Sequence, residues 1–250
     1  MDTILKGRPE ALAVLDYGLF RVHSGPRDIG LCGYAIRTDA GEVVLIDTGL
    51  PEKYARDAAA ATEEDALGSF GAVLALGPEN LPAAQLALLG IAPGDVTLMV
   101  QTHTHIDHVG GMSDFCQAPI LIAAAERALP RPLYWRGAPG IDWPERDYVV
   151  IDADSEIGPS LRALMAPGHA PGQIALWVEL PEAGPVLLAS DAISRPAEIE
   201  EGFADAADPA AARASAARLM GLAEGAGAFV IYGHCPAQWA GLRKAPEVYR

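Results

Sequence analysis

The chain has 250 residues, half of them hydrophobic, and carries a formal net charge of −15 at pH 7. This length suffices for a substantial core, so residues 1–250 are expected to form a single domain. The negative charge disfavours binding to nucleic acid, whose backbone is also negative. The sequence has no run of about 18 apolar residues, the length that a membrane-spanning helix needs. Its first residues also lack the apolar core of a signal peptide. We therefore expect a cytoplasmic protein that binds neither nucleic acid nor membranes.

The cysteines Cys32, Cys116 and Cys235 are far apart in the sequence and odd in number, and none forms a Cys-x-x-Cys pair. This usage is typical of reduced thiols in the cytosol and not of a disulfide framework. We expect each of them to be a small buried hydrophobic residue.

Short apolar runs bounded by turn-forming residues predict a series of β-strands. The predicted strands are 31–37, 43–46, 96–102, 120–122, 148–151, 161–166, 174–180, 185–190 and 228–232. Gly41 lies in the turn that joins the first two of these strands, where glycine most easily adopts a positive φ.

Helices are predicted between the strands. The Ala- and Leu-rich residues 51–90 favour helix, with Asn80 as an N-cap and Gly90 at the end. Asp208 is a typical N-cap and Pro209 is suited to the first helical position, which predicts a helix through about residue 224. Shorter helices are expected at 108–115, 123–129 and 236–244.

Strands, then a helical stretch, then strands and a helix again suggest two halves, each a sheet flanked by helices. Two such sheets packed face to face form a four-layer αββα sandwich of the α+β class. Residues 130–147 are rich in proline, glycine and aromatic side chains, including Tyr134, Trp135 and Trp143. They predict either a loop over a cleft or a surface insertion whose rings pack on the core.

The most informative segment follows the predicted strand 96–102. It places His103, His105, Asp107 and His108 within six positions, in a chain that has only six histidines. Imidazole nitrogen and carboxylate oxygen are ligands that zinc and similar divalent metals prefer. His103 and His105 are two apart in extended chain and project to one side, while Asp107 and His108 stand where a helix begins. One loop therefore offers ligands to two adjacent metal ions.

Three further candidate ligands, His169, Asp191 and His234, each follow an apolar run and lie beside small residues that permit a tight turn. They complete a set of five histidines and two aspartates. His23 lacks such a context and is expected to be structural or solvated.

The ordered series of His-x-His-x-Asp-His at 103–108, Gly-His at 168–169, Ser-Asp at 190–191 and Gly-His at 233–234 resembles the metallo-β-lactamase superfamily. Asp47-Thr48-Gly49 matches its early Asp-Thr-Gly element. Within the superfamily, Pro167 to Gly172, the Asp191-Ala192 pair and the tail from Tyr232 to Trp239 are most similar to the N-acyl homoserine lactonase family. The similarity extends from about residue 30 to the C-terminus.

This resemblance implies the αββα fold and a quorum-quenching type of lactonase activity. His103, His105 and His169 would hold one ion, Asp107, His108 and His234 would hold the other, and Asp191 would bridge both. The two divalent ions are expected to be Zn²⁺, with manganese, cobalt or iron as alternatives. They would ionise a shared water that attacks the carbonyl of an acyl homoserine lactone or a related lactone.

In the same scheme Asp107, the catalytic residue, shuttles a proton to the departing ring oxygen. Asp47 lies behind the ligands and orients a histidine. Three positions differ from the family pattern: Ser194 stands where the lactonases carry a substrate-contacting Tyr, Gln173 where they have His, and Cys235 where they have Asp. Because these three positions differ, we expect ring-opening hydrolysis of a small lactone or ester in general, with acyl homoserine lactones as one class of such substrates.

Other functions of the same fold can be distinguished by single features of the sequence. A diiron reductase needs a carboxylate at position 105, where this chain has His105. A secreted β-lactamase needs an export signal, which we do not find in the sequence. A thioester hydrolase resembling glyoxalase II shares the ligand set but normally brings basic residues to an anionic thiol carrier, and only Arg243 and Lys244 stand together. That activity and a non-catalytic, metal-stabilised binding module both remain open.

Overall fold

The computed structural model describes residues 4–135, 138 and 140–250. Within them a first sheet has seven strands: β1 (Pro9–Val22), β2 (Arg27–Thr38), β3 (Val43–Ile46), β4 (Gly71–Ala75), β5 (Leu98–Val100), β6 (Ile120–Ala123) and β7 (Tyr148–Ile151). Their order across the sheet is β4-β1-β2-β3-β5-β6-β7. Pairing is antiparallel from β4 to β3 and parallel from β3 to β7.

The second sheet contains β8 (Ser155–Gly158), β9 (Leu161–Met165), β10 (Ile174–Leu180), β11 (Gly184–Ser190) and β12 (Phe229–Tyr232). Its order is β12-β11-β10-β9-β8, and β11 and β12 are parallel whereas the other pairs are antiparallel. The α-helices are α1 (Lys53–Arg56), α2 (Ala58–Glu64), α3 (Pro82–Ala87), α4 (Ile106–Val109), α5 (Ala124–Arg127), α6 (Ala197–Glu201), α7 (Pro209–Ala226) and α8 (Pro236–Trp239).

Alternating side chains on the strands build the layers. In β3, Val44 and Ile46 point into a core between the two sheets, while Val43 and Leu45 belong to a separate core on the outer face of the first sheet. In β10, Leu176 enters the inter-sheet core and Trp177 packs outward with the buried side of α7. The four-layer αββα sandwich is therefore confirmed.

Three strands among the described residues, β1, β4 and β8, were not predicted. In β1, Gly18 has φ +107° and the register against β2 shifts between Asp16 and Leu19. This irregularity interrupts the apolar alternation that marks a strand. β4 lies inside residues 51–90, where the alanines favour helix but pairing with β1 decides the local structure.

Two helices differ in extent from their predicted ranges. α4 begins at Ile106 and ends at Val109, not at residue 115, because Gly110 and Gly111 follow. α8 ends at Trp239, well before residue 244.

The predicted caps had different outcomes. Asn80 does not cap α3, because its side-chain oxygen accepts a hydrogen bond from the Gly77 amide at 3.0 Å and Leu81 takes the cap position. The start of α7 is confirmed, since the Asp208 carboxylate accepts hydrogen bonds from the amides of Ala210 and Ala211, both at 3.0 Å.

The aromatic residues of 130–147 pack on the outer core of the first sheet. Tyr134 is buried, Trp135 and Trp143 are partly buried against that core, and the Trp143 indole donates to the Leu129 carbonyl at 2.8 Å. The contacts favour the surface insertion over a free loop, although residues 136, 137 and 139 of this stretch lie outside the described residues.

The expectation of three buried cysteines was wrong for two of them. All three are free thiols, but only Cys32 is buried; Cys235 is partly buried and Cys116 is exposed. Cys116 follows a short run of turns after α4, where the chain lies at the surface. No helix among the described residues combines the length and apolar character needed to cross a bilayer.

Leu176 is 1% exposed in the inter-sheet core, whereas Leu222 on α7 is 39% exposed. We expect Leu176→Ala to lower the free energy of unfolding by about 2–5 kcal/mol, because it removes buried apolar contacts and leaves a cavity. The matched control Leu222→Ala is expected to change it by less than about 0.5 kcal/mol. Urea unfolding followed by circular dichroism measures both, and equal losses would contradict the placement of Leu176 in the core.

Candidate metal centre

The seven candidate ligands lie at one rim of the sandwich because they follow strand ends that share an edge. β3 and β5 are parallel, so Asp47 and the loop after Val100 emerge side by side. In the second sheet the parallel strands β11 and β12 end next to each other and lead into Asp191 and His234. The two sheets are joined at this rim, where the Ile174 amide donates to the Thr102 carbonyl at 2.8 Å.

Three histidines form the first ligand group. His105 Nδ1 lies 3.0 Å from His103 Nε2 and 2.9 Å from His169 Nε2. Two nitrogens bound to one tetrahedral zinc ion would lie about 3.3 Å apart, given zinc–nitrogen distances of about 2.0–2.1 Å. The three nitrogens are therefore close enough to share one ion.

A carboxylate and two histidines form the second group. Asp107 Oδ2 lies 3.4 Å from His234 Nε2 and 3.7 Å from His108 Nε2. In both groups all donor atoms lie within 4.8 Å of one another. The second group thus brings together residues that are up to 127 positions apart in the sequence, from Asp107 to His234.

Asp191 lies between the two groups, and its two oxygens face different partners. Oδ2 is 3.4 Å from His169 Nε2, whereas Oδ1 is 3.2 Å from His234 Nε2 and 3.6 Å from His108 Nε2. A carboxylate in this position can offer one oxygen to each of two neighbouring cations. It occupies the place that a bridging ligand needs.

Two buried atoms of the candidate ligands indicate that a cation fits between them. His108 Nε2 and Asp191 Oδ1 are buried and lack a hydrogen-bond partner. Buried polar atoms are nearly always satisfied, and leaving them unpaired is costly. A positive ion between them would satisfy both, and the mixed nitrogen and oxygen donor set is the one that zinc and related divalent metals prefer.

Asp47 orients one of the ligand rings from behind. Its Oδ2 accepts a hydrogen bond from His108 Nδ1 at 2.8 Å, which turns His108 Nε2 toward the centre. The carboxylate also accepts from the Thr102 hydroxyl at 2.7 Å, the Thr102 amide at 2.9 Å and the Gln101 side chain at 3.0 Å. These bonds hold Asp47 at φ +57°, a backbone conformation that a non-glycine residue rarely adopts.

Two more rings are fixed through their outer nitrogens. His234 Nδ1 donates to the Gly30 carbonyl at 3.0 Å. His103 Nδ1 lies 3.3 Å from the Thr102 hydroxyl, whose own proton goes to Asp47, so the histidine is the donor. Both rings therefore present an unprotonated Nε2 to the centre when neutral.

The electrostatics divide the histidines into two sets. Burial lowers the pKa of His103 and His169, and burial together with the neighbouring His169 lowers the pKa of His105 to about 4. These rings are neutral at pH 7, the form that binds metal.

The second set has the opposite charge preference. Burial alone would lower the pKa of His108, but Asp107, Asp47 and Asp191 outweigh it and raise that pKa to about 9. The same carboxylates Asp191 and Asp107 raise the pKa of His234 well above its ordinary value. A divalent cation would take the place of these protons.

Glycine at position 233 permits the close approach of His234 to Asp191. A Cβ atom on Gly233 would lie 2.6 Å from the Ser190 carbonyl oxygen and 2.7 Å from Asp191 Oδ1, which is too close for a real side chain. The small residues next to the candidate ligands therefore serve the geometry that their position in the sequence suggested.

The three residues that depart from the lactonase pattern have different surroundings. The Ser194 carbonyl accepts from the His234 amide at 2.8 Å, and the Ser194 amide donates to Glu198 at 2.7 Å, so its backbone supports the site. Gln173 is buried, and the nitrogen of its side-chain amide donates to the Ile174 carbonyl at 3.0 Å. Cys235 follows His234 and is partly buried. His23 is exposed and lies outside the ligand groups.

Gln101 and Thr102 support the site without a sequence signal of their own, and Thr102 contacts Ser190 of the Ser-Asp pair. The Ser190 hydroxyl lies 2.9 Å from the Thr102 hydroxyl and so links the loops before His103 and Asp191. Polar residues of these types are common in loops, and nothing in their local sequence distinguishes them. Only their partners in the folded chain do.

Comparisons with known proteins agree with this geometry. The sequence profile of the metallo-beta-lactamase superfamily matches residues 33–234. The N-acyl homoserine lactonase AiiA of Bacillus thuringiensis subsp. kurstaki is 31% identical over 222 residues, covering 86% of this chain and 84% of the relative. The N-acyl homoserine lactonase AttM of Rhizobium radiobacter is 34% identical over 185 residues, covering 66% of this chain and 68% of the relative.

Among solved structures, an N-acyl homoserine lactone hydrolase with the product N-hexanoyl-L-homoserine bound at its catalytic metal centre superposes with a TM-score of 0.84. It is 25% identical, and the superposition covers 97% of this chain and 100% of that structure. The chain therefore belongs to the metallo-beta-lactamase superfamily of hydrolases, in the family that contains the N-acyl homoserine lactonases.

Proposed function

We propose that this protein is a dinuclear-metal lactonase that opens the ring of an acyl homoserine lactone or a related lactone. The observation that carries the proposal is the placement of Asp191, which offers one carboxylate oxygen to the three-histidine group and the other to the second group. A single-metal site would not need a carboxylate shared in this way. Two divalent ions held there would ionise a water molecule and polarise the substrate carbonyl.

In this proposal two of the three donor groups that lie within 4.8 Å each hold one ion, and the third group, His103, His108 and Asp191, links them. His103, His105 and His169 hold the first ion, while Asp107, His108 and His234 hold the second; Asp191 contacts both. The donor chemistry favours zinc, with manganese, cobalt and iron as alternatives that depend on supply.

Asp107 is the proposed proton carrier. Its side chain is 21% exposed, more than the 8% of Asp191, so it faces the open side of the centre. Burial would raise the pKa of Asp107, but His108 and His234 lower it to about 2, which keeps the carboxylate ionised at pH 7. A bound cation would replace the protons of His108 and His234, and in that state Asp107 is proposed to carry the proton of the attacking water to the ring oxygen as the carbon–oxygen bond breaks.

The substrate class rests on the relatives, because proteins with 31–34% identity carry the name N-acyl homoserine lactonase. Ser194 and Gln173 replace residues of the lactonase pattern, which is the reason to include related lactones.

We further propose that residues 1–250 form a single domain, because Leu5 and Leu242 share the inter-sheet core. We also propose a cytoplasmic location, because the three cysteines are free thiols.

The thioester alternative has less support. Arg243 stacks on the Tyr249 ring at 5.5 Å, and the Lys244 ammonium donates to the Trp239 carbonyl at 2.8 Å, so both basic side chains have structural partners. A closed binding module has less support too, because the side chains of His169 and Asp107 are 26% and 21% exposed and solvent can reach the centre.

We expect purified protein to contain close to two divalent ions per chain, measured by inductively coupled plasma mass spectrometry. Removal of the ions with a chelator is expected to abolish lactone hydrolysis, and added Zn²⁺ is expected to restore it, because the ions are what would ionise the attacking water.

Hydrolysis is measured on a panel of substrates: short-chain and long-chain acyl homoserine lactones, an aromatic-fused lactone, a thioester and a β-lactam.

Hydrolysis of the thioester alone would favour the glyoxalase-like alternative, and bound metal without hydrolysis of any substrate would favour the binding module. A metal content near zero in protein purified without a chelator would rule out the dinuclear proposal.

Asp47→Ala is expected to weaken metal binding about 10- to 100-fold, because His108 loses the carboxylate that orients its ring. Competition with a chromophoric chelator measures the affinity, and circular dichroism verifies the fold. Asp28→Ala, which removes an exposed aspartate paired with Arg21, is the control and is expected to bind as the wild type does. Unchanged affinity in a folded Asp47→Ala variant would refute the orienting role.

A further inference from the structure

Glu126 is a buried carboxylate that belongs to neither ligand group. It lies on α5 and is 0% exposed. Its Oε2 accepts a hydrogen bond from the Thr104 hydroxyl, and its Oε1 accepts one from the Gly172 amide at 3.1 Å. A carboxylate removed from water needs such partners, so both contacts are integral to its placement.

The two partners belong to the loops that carry the three-histidine group. Thr104 lies between His103 and His105, and Gly172 lies three residues after His169. One side chain therefore joins two segments that are 68 positions apart, from Thr104 to Gly172.

On its first side, Glu126 contacts the segment around His105. The Thr104 hydroxyl has one proton, which goes to Glu126, and its oxygen accepts from the Leu133 amide at 3.0 Å. The Tyr134 amide donates to the Thr104 carbonyl at 2.8 Å, and the Ile106 amide donates to the Tyr134 carbonyl at 3.2 Å. His105 is thus held between two backbone hydrogen bonds whose position depends on Thr104.

On its second side, Glu126 packs directly against the His169 loop. A Cβ atom on Gly172 would lie 2.7 Å from Glu126 Cγ and 2.8 Å from the Ala123 Cβ, so only glycine permits this contact. The loop is closed at its base, where the Ala166 amide donates to the Gln173 carbonyl at 2.8 Å. His169 and Gly172 both lie inside this closed loop.

We propose that Glu126 is a positioning residue that sets the separation of His105 and His169 and thereby the affinity of the three-histidine group for its ion. The inference rests on the proposed function, since it assigns a metal to that group. Asp47 and the Gly30 carbonyl contact His108 and His234 directly, so two of the three residues of the second group are held by contacts that do not involve Glu126.

The test is a zinc titration of the metal-free full-length protein, by calorimetry and by competition with a chromophoric chelator, for wild type, Glu126→Ala and Glu126→Gln. Glu126→Ala is expected to lose about 10- to 100-fold in affinity for one of the two ions and to keep the wild-type affinity for the other. Glu126→Gln is expected to lose less, because its amide oxygen can still accept from the Gly172 amide.

A second readout uses cobalt. The visible spectrum of Co²⁺ bound to the three-histidine group is expected to change in Glu126→Ala, because the spacing of its nitrogens changes, and to return toward the wild-type spectrum in Glu126→Gln. Glu42→Ala is the matched control. Glu42 also joins two segments, accepting from the Gly7 amide and the Thr38 hydroxyl, both at 3.0 Å, but its hydrogen-bond partners lie outside the ligand loops.

The outcomes are distinguishable. Wild-type protein that binds fewer than two ions would overturn the proposed function and this inference with it. Two ions in the wild type together with unchanged titrations of folded Glu126 variants would overturn the inference alone. Equal weakening of both ions, or the same weakening in Glu42→Ala, would also overturn it, because the effect would then be a general loss of stability. If Glu126→Ala does not fold, Glu126→Gln decides between these outcomes.

Discussion

The arrangement of the rim depends on one interaction, the burial of the Asp191 carboxylate among His108, His169 and His234. Burial would raise the pKa of Asp191, but His234, His108 and His169 overcome that effect and hold it well below its ordinary value. A charged group in this position is tolerable only when positive charge surrounds it. The convergence of strand ends from both sheets makes this possible, because no single loop could enclose the carboxylate from both sides.

Much of the candidate site could be predicted from the sequence, because its candidate ligands are of rare types in recognisable contexts. His103, His105, Asp107 and His108 stand together, and His169, Asp191 and His234 each follow an apolar run next to small residues; the resemblance to a known superfamily supports the same set. Glu126 could not be predicted in this way. It acts through a hydroxyl and a backbone amide that are distant in the sequence, and a lone glutamate at the start of a helix is ordinary.

The fold could be predicted in its layers but less well in its elements. Strands with uninterrupted apolar runs, such as β3 and β10, were recognised, and α7 was found from its cap. β1 was missed because a bulge at Gly18 breaks its pattern, and β4 because its alanines favour helix until β1 supplies a partner. Long-range pairing, which local sequence does not encode, decided both cases.

The candidate ligands come from both sheets: His103, His105, Asp107 and His108 follow the first, whereas His169, Asp191 and His234 follow the second. A cation coordinated from both sides would act as a reversible cross-link between the halves of the sandwich, comparable to a disulfide staple but governed by metal supply. Ligation that only the folded chain can offer adds to its stability, by about 4 kcal/mol when free metal is a thousandfold above the dissociation constant. The resistance of this protein to heat and proteolysis would then follow the metal status of the cell that makes it.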